Sequence, residues 1–325
     1  MGQTETVSIR VPSKLKRKSS ARDRHGPDRF FSWLVWVPGV MLVLLLLAIA
    51  AFLFWNARET IQHFGFSFLT GTDWDPVQQN FGALPAVFGT VVSSLIGISI
   101  AAPLSIGVAL FLTEVASGRL GRIVGFLVEM LAAVPSVVYG IWGIFVLAPW
   151  LREKIQPALH GAFGFLPFFA KPFYGVGMFC AGVVLAIMII PTIASIAREV
   201  FAVVPRGQRE AALALGATKW EMMRLSVLKA SKGGLAGAMI LGLGRALGET
   251  MAVAMVIGNR LEISASIFSP SATMSSVIAN EYAEAADRLH MAALVELGLI
   301  LFFVTFVINA IARFFVMSSS KRRWS

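Results

Sequence analysis

Apolar residues fall in six long blocks separated by polar connectors, at about 33–55, 84–112, 123–150, 173–196, 234–257 and 291–315. Each block is long enough to cross a hydrocarbon layer, which takes about 20 mostly apolar residues in a helix. The block at 33–55 exceeds a signal-peptide core of about 7–15 residues and lacks a small-residue cleavage site, so it reads as an uncleaved first span. The pattern predicts an all-α integral membrane protein with six transmembrane helices, multi-pass in the cell membrane. Six crossings put both termini on one side. Pro103, Pro135 and Pro191 interrupt three of the blocks. That is tolerated where neighbouring helices or water satisfy the freed carbonyls, so these helices are expected to pack inside the bundle.

Composition agrees: 57% of the 325 residues are hydrophobic and 14% charged, with a mean hydropathy of +0.75. This leaves no room for a large extramembrane catalytic domain. The 28 Lys and Arg against 18 Asp and Glu give a net charge of +10, and where the cations lie matters more than the total. The tail 1–32 carries 8 of them, 113–122 carries 2, 197–233 carries 7 and the C-terminal end 4, whereas the alternate connectors carry 6. Basic residues stay on the cytoplasmic side, so both termini are expected there. The tail 1–32 then reads as a solvated basic segment and not as a nucleic-acid arm, and 316–325 as a short cytoplasmic end. Trp33 and Trp36 at one end of the first block, Trp55 at its other end and Trp150 suit the interfacial belt. Cys180 is the only cysteine, and the four histidines are far apart, so no metal or cofactor site is expected.

The connector 197–233 has helical signals throughout. Pro205 and Gly207 open a short helix carrying Glu210, Ala211, Ala212 and Leu215, and Gly216 supplies a left-handed stop. Thr218 followed by Glu221 is a capping box for a second helix, in which Trp220, Met223 and Leu228 alternate with Lys219, Arg224 and Lys229. Periodicity alone also fits an amphipathic segment lying in the membrane interface. No phosphate-cradling GxxxxGK[ST] occurs anywhere, so any ATP used here is hydrolysed by another subunit.

The fifth block carries two charges. Arg245 lies 11 residues past Gly234, about 17 Å along a helix and near mid-membrane, with Glu249 expected one turn further on the same face. A charge at that depth costs about 2.5–3.5 kcal/mol on insertion scales, so both should face the bundle interior or water. An Arg–Glu pair that locks packing is one reading, although Arg before Glu is the poorer order for an i,i+4 pair. The other is an anion path, in which the planar, always charged guanidinium offers transient bonds to an oxyanion and Glu249 keeps it from becoming a trap. Gly237, Gly242, Gly244 and Gly248 give this block small faces for close packing.

Glu210, Ala211 and Ala212, three residues and Gly216 resemble the EAA loop of ABC-importer permeases. That resemblance implies coupling helices that dock into a cleft of a separate ATPase subunit, with Ala211 and Ala212 allowing close approach, Gly216 fixing the bend and Glu210 offering a carboxylate. Members commonly have Leu-Pro after the second helix, whereas here Leu228 is followed by Lys229. GRALGETMAVAMVIGN at 244–259, AAVPSVVYGIWG at 132–143 and IIPTIASIAREVF at 189–201 resemble phosphate ABC transporter permeases of the PstC type, the likeness covering about 84–315. It implies type I ABC importer permease architecture, with a core of five helices over 84–315 after the first. It also implies a second permease subunit of the PstA type, two ATPase subunits of the PstB type and an extracytoplasmic phosphate-binding protein. The family's arginine and glutamate for phosphate passage match Arg245 and Glu249.

Ser136 and Tyr139 are weaker candidates for the path, since hydroxyls in helices often bond a backbone carbonyl. Glu129 fits either a neighbouring subunit or interfacial water. Glu281, Glu284 and Asp287 make an acidic stretch before the sixth block, either a rim that favours delivery by a binding protein or a solvated helix end. The reading is a transport subunit that catalyses no bond change and passes inorganic phosphate. The alternative is a proton-coupled secondary anion transporter, which explains the buried charges without any partner but not the EAA loop.

Overall fold

The computed structural model describes residues 25–116 and 118–321. Most of the basic tail predicted at 1–32, and 322–325 of the C-terminal end, lie outside the described residues. The chain divides into a unit ending at Ile49 and one beginning at Ala50. The described part of the first unit is helical and belongs to α1 (His25–Phe64), which starts before the predicted span and contains Pro38.

In the second unit, Gly65 at φ +54° ends α1, and α2 (Ser67–Thr70) leads to a small antiparallel hairpin, β1 (Trp74–Asp75) with β2 (Asn80–Phe81). Asp75 turns it by accepting from the backbone N–H groups of Val77 and Gln78 at 2.8 and 3.1 Å, the local bonding that makes Asp a turn residue. Then follow α3 (Leu84–Val115), α4 (Gly118–Ala133), α5 (Ser136–Phe163) and α6 (Met178–Ala202). Two short helices, α7 (Arg206–Ala214) and α8 (Lys219–Met222), precede α9 (Lys232–Leu247), α10 (Met251–Val256), α11 (Met274–Glu281) and α12 (Arg288–Lys321).

The centre is the contact of α3 with α6. On α3, Gly89, Ser93, Gly97, Ala101, Ser105 and Ala109 are all buried, and every fourth position of a helix lies on one face. Such a small-residue stripe lets backbones approach in a membrane, where apolar side chains gain little by leaving lipid. A methyl built on Gly97 would sit 3.1 Å from Leu185 Cβ, and one on Gly182 of α6 would sit 2.6 Å from Ile96 Cβ and overlap Ile96 Cγ2. Pro191 of α6 has no N–H to give, and beside it Ser105 donates to the Ile190 carbonyl at 3.2 Å.

Among the described residues, four helices are long and apolar enough to cross a membrane, 31–64 within α1, α3, α6 and 288–314 within α12, and the pair α4 and α5 adds a fifth if counted together. The block predicted at 123–150 is therefore not one straight span: α4 and α5 meet at 93°. Pro135 lacks an amide hydrogen and forces Val134 out of helical conformation. The block predicted at 234–257 is divided at 248–250 into α9 and α10. The fourth block is displaced, starting at Met178 and running past 196 to Ala202. Of the helices carrying these prolines, those of Pro103 and Pro191 pack against each other at the centre, with Pro191 buried and Pro103 and Pro135 exposed on the single subunit. Pro103 falls two positions off the small stripe and so on the opposite side of α3.

The α3–α6 contact makes a direct prediction. Gly182→Ala should lower the stability of the purified subunit by about 1–3 kcal/mol, the usual cost of overpacking, while Gly237→Ala, whose methyl meets nothing within 4 Å, should cost none. Equal unfolding midpoints in detergent for the two variants would refute the close contact.

Candidate functional site: a broken helix beside a bent one

Gly244 and Gly248 weaken helix formation where α9 ends, because glycine loses the most backbone entropy on ordering. The residues 248–250 are non-helical before α10 starts at Met251. Backbone polar groups freed by a break in a buried helix need partners, and here hydroxyls supply them. Thr250 Oγ1 donates to the Gly248 carbonyl at 3.3 Å, and Ser275 Oγ of α11 donates to the Glu249 carbonyl at 2.8 Å. Ser275 is placed by the start of α11, where Thr273 and Ser276 form a reciprocal capping box and Thr90 Oγ1 of α3 accepts from the Met274 N–H at 3.0 Å. Thr90, Thr273, Ser275 and Ser276 are all buried. None of the four stands among the path residues predicted above; the Thr-x-x-Ser spacing at 273–276 is the signal that could have pointed to them.

The break also changes the geometry expected for the two charges. Glu249 does not continue the Arg245 face by one helical turn, because α9 stops at Leu247. Arg245 lies in the last turn of α9, exposed on the isolated subunit, and Glu249 is half-buried. Among the described residues neither side chain forms an ion pair or a hydrogen bond.

Tyr139 and Ser136 belong to α5, which packs on α10: a methyl on Gly140 would sit 2.6 Å from Met255 Sδ, and one on Gly143 would sit 2.7 Å from Val256 Cγ1. The bend and the break are thus side by side. Tyr139 is only 8% exposed and its hydroxyl donates to the Leu131 carbonyl of α4 at 2.7 Å, fastening the bend. Its donor is committed to the backbone. Ser136 is half-buried at the first position of α5. Glu129 pairs within the chain, with Arg198 of α6 at 3.1 Å, on an exposed surface. Glu281 is not simply solvated: it accepts from Trp74 Nε1 and meets His290 Nε2, both at 2.9 Å, whereas Glu284 and Asp287 are exposed. Among the described residues no group of three His, Cys, Asp or Glu could hold a metal ion.

At the other candidate region, Gly216 sits at φ +86°. Its N–H bonds the Leu213 carbonyl at 3.0 Å and the Ala217 N–H bonds the Ala212 carbonyl at 3.1 Å, the Schellman closure that a left-handed residue permits. Thr218 and Glu221 form both bonds of the predicted capping box. The Thr218 N–H, then its hydroxyl, hold the Glu221 carboxyl below its usual range. With Lys229 in place of proline the helix does not stop at Leu228: α8 continues through a π turn (Met223–Leu228) as far as 230. Ala212 packs into a cluster with Ala109 and Leu110 of α3, Phe201 of α6 and Leu235 of α9. Glu210, Ala211, Leu215, Gly216 and Trp220 remain exposed.

Residues 101–322 match the family described as the binding-protein-dependent transport system inner membrane component. The chain is 46% identical over 299 residues to the phosphate transport system permease protein PstC of Mesorhizobium japonicum, covering 91% of each chain. It is 46% identical over 316 residues to the protein of the same description in Pasteurella multocida, covering 95% of this chain and 98% of that one. Among solved structures, a chain of a bacterial ABC transporter involved in the import of the acidic polysaccharide alginate superposes with a TM-score of 0.60 at 15% identity. The match covers 93% of this chain and 100% of that one, and it bears on the fold alone.

Ser275→Ala should leave the Glu249 carbonyl without its hydroxyl donor, and Tyr139→Phe should do the same to Leu131. Each should lower subunit stability by about 1 kcal/mol, read as a shifted unfolding midpoint. Midpoints matching the unaltered chain would mean these bonds do not hold the break and the bend.

Proposed function

The chain belongs to the PstC-type phosphate permeases within the family of binding-protein-dependent transport system inner membrane components, and we propose that it forms half of the membrane path of an ATP-driven importer of inorganic phosphate. The reading assigns six crossings with both termini in the cytoplasm, α4 with α5 and α9 with α10 each serving as one broken crossing. Both named relatives are phosphate transport permeases. In this reading a PstA-type permease supplies the other half of the path, two PstB-type ATPases supply the energy and an extracytoplasmic protein delivers phosphate.

One observation carries the assignment of the path: Arg245 is a permanent cation in the membrane region, exposed on the single subunit and without an ion pair among the described residues. Such a charge is too costly to leave to lipid, by about 2.5–3.5 kcal/mol on insertion scales. Placed next to the broken backbone at 248–250, it offers a planar fork of donors to an oxyanion, with the Glu249 carboxylate close along the chain to speed release. Ser136 and Tyr139 flank the same place from α5. The exposed face of α7, with Glu210, Ala211 and the Gly216 turn, is the surface that fits an ATPase cleft. Movement of the ATPases on binding ATP then shifts α7 and α8 and opens the path alternately to each side. A proton-coupled secondary transporter would leave that exposed face without a task.

The deciding measurement is phosphate uptake into membrane vesicles containing this chain with its partners. Uptake should require ATP and persist when the proton gradient is collapsed; uptake that follows the gradient and ignores ATP would refute the proposal. Arg245→Gln should lower uptake about tenfold or more, the scale of a lost charge-assisted hydrogen bond, with the complex still assembled. Gly216→Leu, forced to a positive φ, should lose the co-purifying ATPase while the subunit still inserts. Retained uptake in the first, or normal co-purification in the second, would refute the role given to that residue.

A further inference from the structure

The Arg209 guanidinium joins three elements. Arg209 lies on α7, next to the exposed Glu210, yet its own side chain is only 18% exposed. Its Nη1 donates to the Val204 carbonyl at 2.6 Å, and its Nη2 donates to the Phe201 carbonyl at 2.8 Å and to Glu114 Oε1 at 2.9 Å. Phe201 is in the last turn of α6, where carbonyls lack partners within the helix. Glu114 is 8% exposed and lies in the π turn Phe111–Val115 that ends α3. Such wide turns recur at functional positions of helices.

We propose that Arg209 is the positioning residue that couples α7 to the transport core, with Glu114 as its anchor on α3. The proposal rests on the reading that α7 docks an ATPase. A planar fork is needed, because a lysine ammonium could not reach two carbonyls and a carboxylate in fixed directions. The pair is too buried to be an incidental surface bridge, and removing one partner leaves a charge without compensation. The other ties of α7 are softer: the packing of Ala212, and a 3.2 Å bond from Ser226 Oγ to the Gln208 carbonyl.

The anchor matters because of what α3 holds at its far end. Glu114 and Thr90 are 24 positions apart on α3, about 36 Å at 1.5 Å per residue. Thr90 receives the Met274 N–H at the start of α11, and Ser275 of α11 holds the Glu249 carbonyl. Displacement of α7 is thereby delivered through Arg209 and Glu114 to a single helix that reaches the support of the broken segment.

The test uses the whole complex in proteoliposomes, with phosphate taken up per ATP hydrolysed as the readout and ATPase co-purification as the control. Glu114→Gln keeps the shape of the anchor and removes its charge. It should keep the ATPase bound and hydrolysing while phosphate moved per ATP falls about threefold or more, within the range of coupling effects seen for such links. Arg209→Lys should do the same, and the double variant should be no worse than the more severe single one, as expected for two residues in one link. An unchanged ratio in Glu114→Gln and Arg209→Lys would overturn the proposal, as would losses of uptake and ATPase binding in equal proportion, the signature of a fastening that only holds the subunit together. Failure of the ATPase to co-purify with the unaltered chain would instead overturn the docking reading, and this proposal with it.

Discussion

The contact of α3 with α6 sets the terms for the rest of the subunit. Helices surrounded by lipid gain little from burying leucines against each other, so close backbone approach and hydrogen bonds must hold them. The small stripe from Gly89 to Ala109 and the opposing Gly182 provide that approach. The same stripe brings α3 against the loop before α11, since a methyl on Gly89 would overlap the Ala272 carbonyl. Thr90, one residue on, can therefore receive the Met274 N–H. Support for the broken segment at 248–250 is a consequence of how near α3 comes.

The bend between α4 and α5 and the break between α9 and α10 are each matched by hydroxyls. Tyr139 bridges the bend at 134–135 by bonding the Leu131 carbonyl, which Pro135 cannot serve, and Thr250 and Ser275 serve the break at 248–250. A carbonyl without a partner in a low-dielectric interior costs as much as a lost hydrogen bond, so these hydroxyls are the condition for non-helical backbone inside the packed subunit. Broken helices are also where membrane transporters expose backbone to a solute. The position of Arg245 at the end of α9, one turn before the break, joins the two themes.

Three arginines sit in environments that differ. Arg198 and Glu129 pair on an exposed surface, where such a bridge is worth little. Arg209 is buried with a carboxylate and two carbonyls, which fixes its position. Arg245 has no ion pair among the described residues and is left open on the single subunit. Burial against a carboxylate and two carbonyls, with only Nε left unpaired, suits a mechanical link, and exposure without an ion pair suits an anion that comes and goes.

The chain by itself determined the membrane class, the short paired helices after α6 and the candidate charge at Arg245. These depend on local quantities: the length of apolar runs, the left-handed conformation at Gly216, the reciprocal bonds of Thr218 and Glu221, and the rarity of a cation in an apolar block. The small stripe on α3 is legible as well, every fourth residue from Gly89. Tertiary structure decided that the third and fifth blocks are not straight spans, that Tyr139 spends its hydroxyl on Leu131, and that Glu249 leaves the helical face of Arg245. It also brought Thr90 to Met274 and Glu114 to Arg209, partners 184 and 95 residues apart. A glycine or proline in a run lowers the cost of breaking a helix, but whether it breaks depends on a distant hydroxyl being there to take the freed carbonyl, and no local pattern records that.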